Sequence, residues 1–420
     1  MKSKLVFKTP KDKNFFFGYY DKSPINSSSD LLLAQETKFI DREVSDGDMI
    51  KIGFFKFRES DTFYDIAETS AWNWQMGSML QWLGPNYDDE VIFNDVENNK
   101  FISRKLSLSS GNETKYEIPI YAVSPNGDYA LCVDYERLYW HRRGYNYQGV
   151  INLEKKALFD PNDAIWKLDF ATGAIKKILS FKEISDLDLT TSMKQGANYL
   201  EHLMISPNSE EFIFYHRWIL EDGIHTRALI SGSDGSNLRI LNDTGRMSHV
   251  YWRNNKSLIG FGSTPNYLLN IRKNSSYIRK YLFKPLLPIF HRALKTNTSI
   301  RNSITGDGYY LFDSSLKKKS EKIVHDSLIT NGHPSFHPYN KDIFVTDIYP
   351  ETNNHKPKLT IFNLKKNESF LVDTLKSIEY LDETPMRCDL HPKWSFDGNY
   401  ISVDTQNDGC RSIYLYKFEE

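Results

Sequence analysis

The chain lacks what would tie it to nucleic acid, to a disulfide framework or to a bilayer. Its 53 Lys and Arg are matched by 54 Asp and Glu, for a formal charge of −1. Proteins that grip phosphate backbones usually carry a clear basic excess, so no nucleic-acid partner is expected. Only three cysteines occur in 420 residues, Cys132, Cys388 and Cys410. So sparse and odd a set gives neither a disulfide framework nor a CxxC metal pair. No apolar run is long enough to span a membrane, and the first thirteen residues are charged throughout, without the apolar core of a signal peptide. The expected location is therefore the cytoplasm. Long helical periodicity is missing too, apart from a short segment near 181–195.

Aromatic residues are abundant: 25 Tyr, 26 Phe and 8 Trp. The chain is too apolar and too near neutrality for general disorder, and long enough to bury a large core without a staple. Length alone suggests two or three domains, but internal repetition overrides that prior. Ser124-Pro-Asn-Gly-Asp-Tyr-Ala-Leu, Ser206-Pro-Asn-Ser-Glu-Glu-Phe-Ile, His337-Pro-Tyr-Asn-Lys-Asp-Ile-Phe and Ser395-Phe-Asp-Gly-Asn-Tyr-Ile-Ser each run a polar turn into a β-branched and aromatic strand; Trp252-Arg-Asn-Asn-Lys-Ser is a looser copy. Such turns are hairpin chemistry. A second alternating strand follows each, as in Ile165-Trp-Lys-Leu-Asp-Phe or Leu359-Thr-Ile-Phe-Asn.

Two-part units of this kind predict four-stranded blades. Two earlier units, Phe17–Phe57 and Trp72–Ile118, bring the count to seven, which predicts an all-β, seven-bladed β-propeller forming one domain over 1–420. Seven blades need about 300 residues, so the surplus belongs in loops and insertions. One insertion, 270–305, stands out: residues 272–301 carry eight Lys/Arg and no acid, interleaved with aromatic and aliphatic residues. It reads as a solvated loop packed on its blade or as a peripheral membrane or anionic-glycan contact, although Pro285 and Pro288 interrupt any helix there.

Propellers gather the segments that lead into their innermost strands around one mouth of the central channel. His202, His249, His333 and His391 each precede such a strand in four consecutive units, and Asp389 shares the side of an extended segment with His391. Together, His333, Asp389 and His391 form a candidate divalent-metal set. His216 ends a strand and is a lesser candidate. Trp72, Trp74 and Trp82 read first as core, with sugar stacking as the alternative. Arg137, Arg142 and Arg143 place cations among aromatics in a loop and would suit an acidic glycan.

The run from His202 through His216 and Arg227 to His249, with Gly235-Ser-Asn between, resembles oligogalacturonate lyases. The final His-Pro-x-Trp-Ser strand and the Ala71–Trp82 segment are similar to theirs as well. The likeness covers most of the chain from about residue 70, leaves 265–310 unmatched, and lies in order and spacing rather than identity. It implies a seven-bladed propeller that cleaves acidic, uronic-acid-containing oligosaccharides by β-elimination with a manganese-type ion. By that resemblance His249 is the catalytic base, Arg227 meets the substrate carboxylate, and His333 and His391 are metal ligands. Asp389 stands where the family has a further His, and Met386 where it has Gln. Aspartate suits a hard cation and a thioether does not; Arg387 beside it could bind an anion directly in the metal's place. His202, His216, Arg143 and Arg387 complete the expected substrate contacts. Two other functions fit a propeller, since fold does not dictate activity. One is a non-catalytic glycan- or protein-binding module. The other is a glycoside hydrolase needing paired carboxylates, for which Asp21, Asp134, Asp347 and Asp404 are available but unpaired in the sequence.

Overall fold

A computed structural model describes residues 1–265, 281, 298–349, 356–376 and 385–419. They build seven four-stranded antiparallel sheets, the blades of a β-propeller. Blade one runs from Asn14–Phe16 to Phe63–Thr69, blade two from Gln81–Trp82 to Glu113–Tyr116, and blade three from Ala122–Val123 to Ile175–Ser180. Blades four, five and six begin at Ala197–Ile205, Met247–Asn254 and Ser335–Phe336. The seventh takes Lys393–Trp394, Tyr400–Thr405 and Ser412–Glu419, then borrows the N-terminal strand Lys2–Lys8, which pairs antiparallel with Ser412–Glu419. Both chain ends thus lie in one sheet.

The recurring turn phrase has a physical cause. Ser124 Oγ accepts the backbone N–H groups of Asp128 (3.1 Å) and Tyr129 (3.0 Å), Ser206 Oγ that of Glu211 (3.0 Å), and Ser395 Oγ that of Tyr400 (2.9 Å). A serine hydroxyl thereby closes the turn between the innermost and second strands, satisfying donors that the ladder cannot reach. Blade one closes the same turn with Asn26, whose Oδ1 accepts from Asp30 (3.0 Å) and Leu31 (2.8 Å).

The short helices Phe181–Asp186 and Thr191–Gln195 lie where the sequence predicts helix. A further helix, Tyr135–His141, replaces the loop expected to carry Arg137. Asp134 caps it by accepting from the Arg137 N–H, which is ordinary N-cap chemistry. The basic insertion falls between strands Ser257–Gly262 and Gly308–Asp313 of blade five; apart from Tyr281 and helix Thr298–Thr305, it lies outside the described residues. Among those described, no helix is long and apolar enough to cross a membrane.

Aromatic side chains fill the spaces between blades. Phe7, on the borrowed strand of blade seven, packs on Phe55 (5.7 Å between centroids) and Phe57 (6.1 Å) of the blade-one region. This contact joins the last blade to the first, so Phe7→Ala should destabilise the fold by about 3 kcal/mol, the usual cost of removing a buried aromatic. Urea unfolding followed by circular dichroism measures it, and a loss below about 1 kcal/mol would show that ring closure does not depend on this contact.

Candidate functional site at the histidine mouth of the channel

The innermost strands of blades four and five are bulged where their histidines sit. Pairing shifts register between Glu201 and Met204 and again between Met247 and Val250, the intervals that hold His202 and His249. A bulge re-aims a side chain out of the strand's alternation. His202 (φ 57°) and His391 (φ 44°) take the left-handed conformation that a non-glycine residue enters only under constraint. The four rings surround Tyr20, whose centroid lies 5.2 Å from those of His249 and His333, 6.4 Å from His202 and 6.3 Å from His391. Tyr20 donates its hydroxyl proton to the Val250 carbonyl (3.0 Å) and accepts the Val250 N–H (3.3 Å).

Two of the imidazoles have their tautomer set by a partner behind them. His333 Nδ1 lies 2.9 and 3.0 Å from the two Asp347 oxygens, and His391 Nδ1 lies 2.7 Å from the Gly18 carbonyl. Neither partner can donate, so each Nδ1 carries the proton and each Nε2 presents a lone pair. Metal-binding histidines are commonly oriented in this way. Donor atoms of His333, Asp389 and His391 all lie within 4.8 Å of one another. Asp389 Oδ2 accepts from Arg387 Nε (2.8 Å) and the Tyr349 hydroxyl (3.2 Å), and that hydroxyl is 3.5 Å from His333 Nε2.

The electrostatics keep these groups in distinct states. Burial would raise the Asp389 carboxyl, but Arg387, His333 and the Tyr349 hydroxyl outweigh it and hold it below the ordinary carboxylate value. Burial, reinforced by His333 and Lys393, pushes His391 well below 6.5. Two imidazoles that present Nε2 lone pairs and a carboxylate fit a divalent first-row ion. The element that competes with such an ion is Arg387, which already shares Asp389.

His249 stands beside this set, its ring 3.7 Å from that of His333 and its Nδ1 3.2 Å from Ser248 Oγ. Burial first, then three neighbouring histidines and Arg387, drives it well below 6.5, so its imidazole is neutral. His202 stacks on Tyr215 (5.0 Å) next to Glu201, and burial lowers it to about 4. Glu201 is buried between Arg217 and Arg142, which also lies 4.1 Å over Tyr145.

Several expected site residues lie elsewhere. Arg227 and His216 are fully buried on the third and second strands of blade four, directly cross-strand from each other. Arg227 Nε donates to His216 Nδ1 (3.0 Å), and its terminal nitrogens donate to the Leu187 and Ile184 carbonyls at the end of helix Phe181–Asp186. His216 Nε2 then donates to Asn198 Oδ1 (2.9 Å). With every one of these polar contacts internal, both residues join blade to helix instead of facing the mouth. Arg143 is 73% exposed and pairs with Glu43. Arg137 is buried against Asp163 and backbone carbonyls. Trp72 and Trp74 are core, their indole N–H groups donated to Asp48 and Arg42 carbonyls, and Met386 packs against their cluster.

The four carboxylates considered for hydrolysis serve separate tasks. Asp347 orients His333, Asp404 accepts from the backbone at Phe17 and Gly18, Asp134 caps a helix and Asp21 pairs with Lys22. Sequence reasoning missed Tyr20 and Tyr349, and it weighed Asp347 only as a hydrolytic carboxylate, not as the partner of His333. The one signal for Asp347 was its place at the end of the strand following His333.

Among solved structures, an oligogalacturonate lyase in complex with manganese matches with a TM-score of 0.65 and 13% identity, over 100% of this chain and 93% of that one. The oligogalacturonate lyase of Vibrio parahaemolyticus gives 0.63 and 12%, over 100% and 94%. No protein-family model matches the chain, and no curated protein matches its sequence. Over its whole length, the chain has the seven-bladed fold of the oligogalacturonate lyases.

Proposed function

We propose that the chain is a lyase that cleaves acidic, uronic-acid-containing oligosaccharides by β-elimination. The observation carrying this reading is the convergence of His333, Asp389 and His391 beside a neutral His249 and the Arg387 guanidinium. A shared fold with oligogalacturonate lyases supports it. The reaction removes the C5 proton of a uronoside, forms a C4=C5 double bond and breaks the C4–O bond, with a proton delivered to the departing oxygen.

The C5 proton becomes acidic only when the adjacent carboxylate is neutralised, and stabilising the charge that develops there is the largest catalytic term. A divalent cation held by His333, Asp389 and His391, such as the manganese of the solved neighbour, supplies that neutralisation when bound. Arg387 adds a guanidinium suited to bidentate carboxylate contact, the part that the resemblance gave to Arg227. His249 is the base, since a neutral imidazole can accept a proton without first losing one. Tyr349 is the proton source for the leaving oxygen: burial and Asp389 raise its hydroxyl well above 10, so it stays protonated. In this reading the enzyme works in the cytoplasm on short acidic chains.

Incubation with a panel of acidic oligosaccharides should produce the ultraviolet absorbance of the unsaturated uronate, and His249→Ala should lower kcat by about 10²–10⁴-fold. New reducing ends without that absorbance would instead mean hydrolysis, and neither signal a binding module. Because the base is active when unprotonated and its value is lowered, kcat/KM should hold constant as pH falls to 6.5 and decline only in more acid solution. A decline centred at or above 6.5 would exclude His249 in its present environment. Elemental analysis should find a divalent metal in the wild-type protein and lose it in Asp389→Ala. Retained lyase activity in a metal-free Asp389→Ala protein would assign carboxylate neutralisation to Arg387 alone.

A further inference from the structure

The repeated turn phrase takes no part in the histidine site; it surrounds the opposite end of the channel. Pro125, Pro207, Pro338 and Phe396, each from the turn after an innermost strand, border a cavity of about 310 Å³. Trp82, Trp252 and Trp394 form aromatic walls, and each indole N–H is already donated to another blade's or turn's backbone, at the Pro24, Met204 and Ser335 carbonyls (3.0, 3.1 and 3.0 Å). What the indoles add to the cavity lining is apolar ring surface. Tyr20 also lines this cavity while touching the four histidines, so it separates the two sites.

Two lysines reach this cavity from buried positions. Lys22 is satisfied by Asp21 at 2.6 Å. Lys393, only 2% exposed, is not: its nearest carboxylate oxygen, on Asp404, is 3.9 Å away, beyond hydrogen-bond reach. Asp404 already accepts the Phe17 and Gly18 N–H groups at 3.0 and 2.8 Å. Among the described residues Lys393 meets no hydrogen-bond acceptor; the Phe17 ring lies 4.9 Å from Nζ. An ammonium carries three donors, and leaving them unmet in a buried place is costly. An oxyanion in the cavity would satisfy them. Lys22, Lys341 and Lys393 face the cavity with Asp21, while Asp404 lies behind Lys393.

We propose that this cavity is a second ligand site, for a small monocarboxylate with a flat apolar body. The carboxylate accepts from Lys393 and the body lies against the indoles. At about 310 Å³ the space is at the small end of ligand pockets, and its indole walls favour an anion with an apolar body over the strongly hydrated phosphate dianion.

Titration of the full chain with benzoate, inorganic phosphate and benzyl alcohol tests this, read by calorimetry and by tryptophan fluorescence. Benzoate should bind saturably with one site per chain and perturb the fluorescence. Benzyl alcohol should not bind, and phosphate should bind more weakly than benzoate. Lys393→Met should weaken benzoate binding by at least about tenfold, the equivalent of one charge-assisted hydrogen bond. Lys341→Glu, a rim change that leaves the core alone, should weaken it several-fold and carries the test if Lys393→Met does not fold. His249→Ala should leave benzoate affinity unchanged, which separates this site from the histidine mouth. The proposal is overturned by any of these: no saturable benzoate binding, affinity indifferent to both lysine changes, binding lost in His249→Ala, or phosphate bound more tightly than benzoate.

Discussion

Much of the channel depends on the buried carboxylate of Asp404. It accepts two consecutive backbone N–H groups, from Phe17 and Gly18, and such charge-assisted bonds are among the stronger ones available in a protein interior. With those amides engaged, the Gly18 carbonyl meets His391, and Tyr20 enters the ring of histidines. Gly18 is required at this point. Its φ of 108° and a hypothetical Cβ only 2.7 Å from the Met76 backbone leave no room for a side chain. Asp404 also offers Lys393 its nearest, though distant, counter-charge, so one carboxylate influences both ends of the channel.

Around that anchor the propeller works as a device for convergence. The turns after the innermost strands surround the channel end away from the histidines, while the residues leading into those strands meet at the other. Neither set is contiguous in sequence. The bulges at His202 and His249 and the left-handed residues His202 and His391 divert the rings from ordinary strand alternation. Strain of this sort is retained where surrounding packing over-determines it and commonly marks a functional site.

The histidines were legible because a propeller converts equal position within a repeat into proximity in space. The seven blades were legible for a related reason, since a serine, asparagine or histidine closing a turn, as Ser124, Asn26 and His337 do, is a local requirement that leaves a local signature. His216 and Arg227 were misread because local spacing does not tell which way a residue on an outer strand faces. Cross-strand pairing puts them opposite each other, and a register shift beside Arg227 turns it toward helix carbonyls. Trp72 and Trp74, read first as core, are core, although a pair of exposed rings and a pair of core rings look alike in one dimension.

By itself, then, the sequence determined the repeat, the blade count and the four histidines with Asp389, all of which rest on short-range turn chemistry and strand alternation. Only the tertiary structure decided the rest. Asp347 and the Gly18 carbonyl set the two imidazole tautomers, Tyr20 fills the space among four blades, Arg387 rather than Arg227 stands at the mouth, and Lys393 meets no acceptor among the described residues. Each of these depends on atoms brought together from distant segments by ring closure, and a closed ring is a property of all seven blades at once.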